Sequence, residues 1–166
     1  MSTSIAFHEP EPCGWSRTEV QRFASEAAQS LGFKPGDSIE AVVSKLGGTI
    51  STSDWASARN TGSITVKGPR DFHIALSPLS GDRRSRFTIA HEIGHYMLHS
   101  QLGKKPLSVK RDGSGRVEWE ANWFAAGFLM PEADFRGKSQ EGLGTAELAE
   151  FFGVSQEAVQ IRRGSL

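Results

Sequence analysis

The chain has 166 residues, 37% of them hydrophobic, which is enough for the core of one ordinary domain. Its 19 lysines and arginines balance its 19 aspartates and glutamates, so no whole-chain electrostatic drive toward nucleic acid or membrane exists. The single cysteine, Cys13, excludes an intrachain disulfide and fits a reducing compartment; with no signal-peptide pattern and no apolar run of membrane-spanning length, a cytoplasmic location is expected.

Residues 1–15 carry two Glu-Pro pairs and little periodicity, which predicts an irregular, mobile arm. Residues 16–166 are expected to form one domain. SRTEVQRFASEAAQSLG then turns helical, with Val20, Phe23, Ala24, Ala27 and Leu31 on one face. Ser16 can cap its start with Glu19 completing a capping box, and Gly32 is a natural stop. A shorter helix follows in SIEAVVSKLG, opened by Asp37 or Ser38 and closed by Gly47.

The period then changes. GTISTSDW (48–55), GSITVKG (62–68) and FHIALSP (72–78) are β-branched and bounded by Gly, Asp or Pro, so they read as strands of a small, mostly antiparallel sheet. The stretch Phe72 to Leu76 is a candidate for an edge strand that pairs with an extended peptide; an ordinary core strand has the same pattern. His73 reads as a polar-face residue. Helix returns in GDRRSRFTIAHEIGHYMLH, whose Arg83, Arg84 and Arg86 form a basic cluster, either a solvated face or a surface for an acidic partner. Residues 100–117, rich in Gly, Ser and Lys, are long for a structureless loop and suggest a flap over a cleft. EWEANWFAAGFLMP forms a strong helix ended by Pro131. The tail, 144–166, reads as two short helices hinged at Gly153, resembling a helix-turn-helix. Its second helix has basic residues only at its end, so direct nucleic-acid binding is not expected.

Within the third helix lies His91-Glu92-Ile93-Gly94-His95. Residues four apart on a helix lie about 40° apart round the axis and roughly 6 Å along it. Two imidazoles so placed can converge on one Zn²⁺, which accepts nitrogen ligands in a near-tetrahedral shell. Glu92 is offset round the helix from both, as suits a carboxylate that takes a proton from a metal-activated water. Gly94 costs about 1 kcal/mol in a helix interior, which implies close approach of another element, such as the helix with the next ligand.

The third ligand must be an acid or histidine on an element packed against this helix. His99 lies about 12 Å from His91 along the axis, too far to share the site easily; it reads as a support behind the ligands, a substrate-side residue or, the favoured reading, a structural one. Glu118 is four residues before Asn122, so it can bind metal while Asn122 buttresses the ligands by hydrogen bonding. Glu120 points elsewhere and is expected to meet solvent. The predicted site is therefore Glu92 with His91, His95 and Glu118 on Zn²⁺, supported by Asn122. Cys13, as an inhibitory latch on the metal, is the weaker reading against a plain unpaired thiol.

RFTIAHEIGHYMLH followed by EWEANWFAAGFLMP resembles the ImmA/IrrE family of metallopeptidases, with the family's paired phrases departing only at Phe128, where leucine is common. The resemblance extends more loosely over residues 16–160. It implies an α+β fold with a zincin-like core, an active-site helix and a second ligand helix. It implies a zinc endopeptidase of narrow range in which His91, His95 and Glu118 hold the metal and Glu92 is the general base. The implied partner is an Xre-like helix-turn-helix repressor or antitoxin, within systems controlling mobile elements, stress responses or toxin-antitoxin pairs. The competing expectation is a non-proteolytic anti-repressor or toxin that sequesters its partner around a structural zinc.

Overall fold

The computed structural model describes residues 4–52, 63–78, 81–110 and 115–166. Helix α1 spans Arg17–Ser30 and starts as its sequence dictates. The Ser16 hydroxyl accepts from Glu19 N at 3.2 Å, and the Glu19 carboxylate accepts from Ser16 N at 2.8 Å. Its fully buried residues are Val20, Gln21, Ala24 and Ala28, with Phe23, Ala27 and Leu31 only partly covered. The buried stripe is thus turned from the expected one toward Gln21 and Ala28. The reason is the close crossing of α1 with α4 (Arg116–Leu129): a Cβ at Gly127 would stand 2.6 Å from Gln21 O.

After α2 (Ile39–Lys45), capped by Ser38, come β1 (Gly48–Thr52), β2 (Ser63–Gly68), β3 (Asp71–Leu76) and later β4 (Leu107–Lys110). Their order in the sheet is β1-β3-β2-β4. The sheet is mixed. The β2–β3 and β2–β4 pairings are antiparallel, and β1–β3 is parallel with Gly48 opposite Phe72. The expected first strand runs on past Thr52 into residues outside those described. The expected edge role of Phe72 to Leu76 is wrong. β3 is flanked on both sides, and its Phe72 and Ile74 point into the core, so its backbone groups are already used. His73, on the opposite face, bonds Thr49 Oγ1 at 2.7 Å and Ser51 Oγ at 2.8 Å on β1.

Part of the expected flap is also corrected. Residues 107–110 alternate buried Leu107 and Val109 with exposed Ser108 and Lys110, and that alternation makes them the edge strand β4. Residues 111–114 lie outside those described. The arm joins the outer side of β4 through a parallel bridge from His8 to Leu107, with His8 N donating to Pro106 O at 2.7 Å. Through these contacts residues 4–15 are anchored to the sheet.

Helix α3 (Asp82–Gly94) continues into a π-helical turn at His95–His99, closed by Ser100 N donating to His95 O. Tyr96 from that turn stacks on Phe72 at 4.2 Å and accepts from Arg70 N at 3.1 Å, tying the turn to the β2–β3 hairpin. Helix α4 packs across α3. A Cβ on Gly94 would meet Phe124 Cβ at 3.0 Å, which is the close approach of the ligand-bearing helix that the glycine implied. Phe124 and Phe128 of α4 stack with one another, and Phe128 stacks on Phe33 at 4.9 Å. Each such buried ring contributes roughly 1.5–3 kcal/mol of transfer free energy.

Helices α5 (Glu132–Gln140), α6 (Thr145–Phe152) and α7 (Gln156–Gly164) complete the described chain, an α+β fold with seven helices among those residues. The α6–α7 turn passes through Gly153 at φ +69, where a Cβ would stand 2.8 Å from Arg86 Nε. Arg83 donates to Val154 O, while Arg86 donates to Asp37 O and lies over the Phe33 ring. Two members of the basic cluster thus brace the fold, and Arg84 stays exposed. Among the described residues no helix is long and apolar enough to cross a membrane.

Candidate metal centre

The last turn of α3 carries His91 and Glu92, and the first residue of the π-turn is His95; all three are buried. The first turn of α4 carries Glu118, which is 12% exposed. One ligand atom from each of His91, His95 and Glu118 lies within 4.8 Å of the others. Glu118 Oε2 stands 2.8 Å from His91 Nε2, and Glu118 Oε1 stands 3.1 Å from His95 Nε2. Asn122, one turn on, places Oδ1 2.8 Å from His91 Nδ1.

Hydrogen-bond directions show what these groups can hold. Asn122 Oδ1 only accepts, so His91 Nδ1 carries the proton and donates. In a neutral ring, His91 Nε2 then offers a lone pair toward a Glu118 oxygen that also offers one. Two lone pairs 2.8 Å apart require a cation between them, either a proton or a metal ion. On the His95 side, His99 Nε2 donates to Glu120 Oε1 at 2.9 Å, so a neutral His99 accepts at Nδ1 from His95 Nδ1, also at 2.9 Å. His95 Nε2 is thereby turned as a second lone pair toward Glu118. Two imidazole nitrogens and a carboxylate suit Zn²⁺, whose bond lengths place neighbouring ligand atoms about 3.3 Å apart in a tetrahedral shell. The observed 2.8 and 3.1 Å are near that spacing.

Electrostatics agree with these directions. Burial alone would raise the Glu118 pKa, but the hydrogen bonds and charges of His91 and His95 outweigh it and hold the carboxyl well below its usual range. Burial, then the neighbouring His95, pulls His99 down to about 4 against the attraction of Glu120, which keeps the ring neutral. Glu120 ends at about 2: burial raises it, but donors from His99, Cys13 N, Arg116 and Gly14 N lower it further.

Glu120 is the principal correction to the sequence reading. It does not meet solvent; it is 0% exposed. Its Oε1 accepts from Cys13 N at 2.8 Å and from His99; its Oε2 accepts from Gly14 N at 3.0 Å and Arg116 Nε at 3.2 Å. A continuous chain of hydrogen bonds therefore runs from His95 through His99 and Glu120 to the arm. A signal existed in the sequence: Glu120 shares a helical stripe with Phe124, Gly127 and Phe128, all of which are buried. His99 is brought against His95, not His91, in keeping with a supporting place. Cys13 reaches the chain through its backbone N–H, while burial pushes its thiol pKa up.

The family model for the IrrE N-terminal-like domain of the M78 peptidases matches residues 54–163. Among solved structures, the fold is similar to a Mycobacterium tuberculosis transcriptional regulator. The TM-score is 0.59 and the identity 18%, over 89% of this chain and 47% of that one. The chain thus spans about half the length of that regulator, and the likeness is one of fold. No curated protein matches the chain by sequence.

Proposed function

Because the chain belongs to the IrrE N-terminal-like peptidase family, we propose that it is a zinc-dependent regulatory endopeptidase with a zincin-like site. We propose as its target a partner helix-turn-helix repressor or antitoxin of the Xre-like class, met in the cytoplasm. The observation that carries the reading is the convergence of three lone-pair donors, His91 Nε2, His95 Nε2 and a Glu118 oxygen, on one buried point.

In this mechanism His91, His95 and Glu118 would hold the ion. Zinc, when bound, supplies Lewis acidity that polarises a scissile carbonyl and makes a water molecule acidic at neutral pH. Glu92, on the same helical turn, takes the proton from the attacking water and hands it to the leaving amine nitrogen. Asn122 fixes the His91 tautomer, and the His99–Glu120 pair fixes that of His95, so both Nε2 lone pairs are left turned toward Glu118 and would be ready to hold the ion.

The test is Glu92→Gln incubated with zinc and the candidate repressor. The variant should bind zinc with near-native affinity and leave the repressor uncut, while the native chain cleaves it at one peptide bond. Repressor inactivated equally by both proteins, with no fragments in mass spectrometry, would show sequestration instead of proteolysis.

A further inference from the structure

A second concavity of about 720 Å³ lies between α1, α3, α4 and α7, and none of His91, Glu92, His95 and Glu118 lines it. Four arginines do: Arg17 from α1, Arg83 and Arg84 from α3, and Arg162 from α7. Glu157 is the acidic residue among its lining groups. Among the described residues none of these four arginines forms an ion pair. Arg83 donates to the Val154 carbonyl. Arg162 is 2% exposed, yet its partners are the Met130 carbonyl at 3.0 Å and the Gln21 amide oxygen at 2.8 Å, both neutral. Glu132, whose charge acts on Arg162 through space, makes its own ion pair with Arg136.

Carbonyl and amide oxygens satisfy a guanidinium's donors but do not cancel its charge, so a buried arginine held this way leaves a positive field in its surroundings. Burial lowers the Arg162 pKa to about 10, which still leaves it charged near neutrality. The surplus is local, because the chain as a whole is neutral. Beside this charge are apolar walls. Trp119 and Ile161, 54% and 64% exposed, both line the concavity. Exposed side chains of that size at a charged cavity mark a contact surface more often than a solvated face.

We propose that this concavity is a docking site for an acidic peptide segment of a partner protein, one that sets an apolar side chain between Trp119 and Ile161 and carboxylates against the arginines. The apolar concavity favours a peptide over a nucleic-acid backbone, whose phosphates bind along exposed basic surfaces and supply no apolar group to fill it. The site stands on the cavity itself and not on the peptidase reading. It nonetheless touches the metal centre: Asn122 lines the concavity and bonds His91, and Thr88, one turn before Glu92, lines it too. A docked segment would therefore lie behind the metal ligands and hold its protein while another stretch reaches the site.

Fluorescence anisotropy on the full chain tests this. The probes are a labelled peptide alternating leucine and glutamate, its leucine–lysine counterpart, and a labelled DNA duplex. The variants are Arg17→Glu with Arg84→Glu, and separately Ile161→Asp. Both new glutamates fall in the first turn of a helix, where the dipole favours them, so the fold should be kept and circular dichroism checks it. The acidic peptide should bind saturably, weaken as salt is raised, and lose about tenfold or more in affinity in either variant, while the lysine peptide does not bind. Equal affinity in native and variant chains, or no saturable binding below millimolar peptide, would overturn the proposal. Tighter binding of the duplex with displacement of the peptide would overturn it in favour of a nucleic-acid surface.

Discussion

Replacing Glu120 by glutamine separates the two descriptions of that residue. The substitution keeps the volume, so no cavity term enters. The native carboxylate accepts four donors: Cys13 N and His99 Nε2 on Oε1, Gly14 N and Arg116 Nε on Oε2. An amide presents N–H at one end, and the less costly choice is the Oε2 end, because Arg116 is half-exposed and can turn to water. That leaves Gly14 N–H facing another donor; because Gly14 is itself exposed and can turn to water, the cost is about 1 kcal/mol, the low end for an unsatisfied group. Cys13 N and His99 meanwhile exchange a charged acceptor for a neutral one, at about 1 kcal/mol each. The sum is about 3 kcal/mol, read as a lower urea midpoint at unchanged m-value. Zinc affinity, measured by chelator competition, should fall about 10–100-fold, because His99 no longer fixes His95 as firmly. Were Glu120 a solvent-facing residue, the change would lie within about 0.5 kcal/mol with zinc binding unaltered. That result would refute the bond chain from the arm to the metal centre.

Gly127→Ala should destabilise by about 2–3 kcal/mol in spite of its better helix propensity, since the new Cβ meets Gln21 backbone atoms at 2.6–2.7 Å and α1 must move. Gly94→Ala meets side-chain atoms of Phe124 at 3.0–3.2 Å, so thermal melting should show a smaller loss; a larger loss than at Gly127 would contradict these packing distances. Saturating zinc at about 100 times its dissociation constant should stabilise the native chain by about 2.7 kcal/mol, and His91→Ala should abolish that increment in a melting assay. Removing the buttress with Asn122→Ala should weaken zinc about 10–100-fold without loss of fold, and equal affinity would show that the His91–Asn122 bond is idle. The Cys13 thiol, pushed up chiefly by burial, should react with iodoacetamide at pH 8 more slowly than a free cysteine, and faster once Glu120→Gln releases the arm.

What was legible in the chain was whatever spans one turn or one strand. The capping box at Ser16 and Glu19, the single-turn spacing of His91 and His95, the i,i+4 pair Glu118 and Asn122, and the alternation through Phe72, His73 and Ile74 are local geometry, set by periods of 3.6 and 2. Gly94 even announced that another helix would come close, without naming Phe124 as the residue it meets. Tertiary structure alone decided which elements met. Periodicity sorts a residue to a face but says nothing of what covers it. β3 was therefore readable as a strand and not as an interior one, and Glu120 was readable as a carboxylate and not as the clasp between His99 and residues more than a hundred positions away. Long-range pairing is set by how α1, α3 and α4 bury their shared surface, and that energy belongs to the assembled core, not to any stretch of the chain within it.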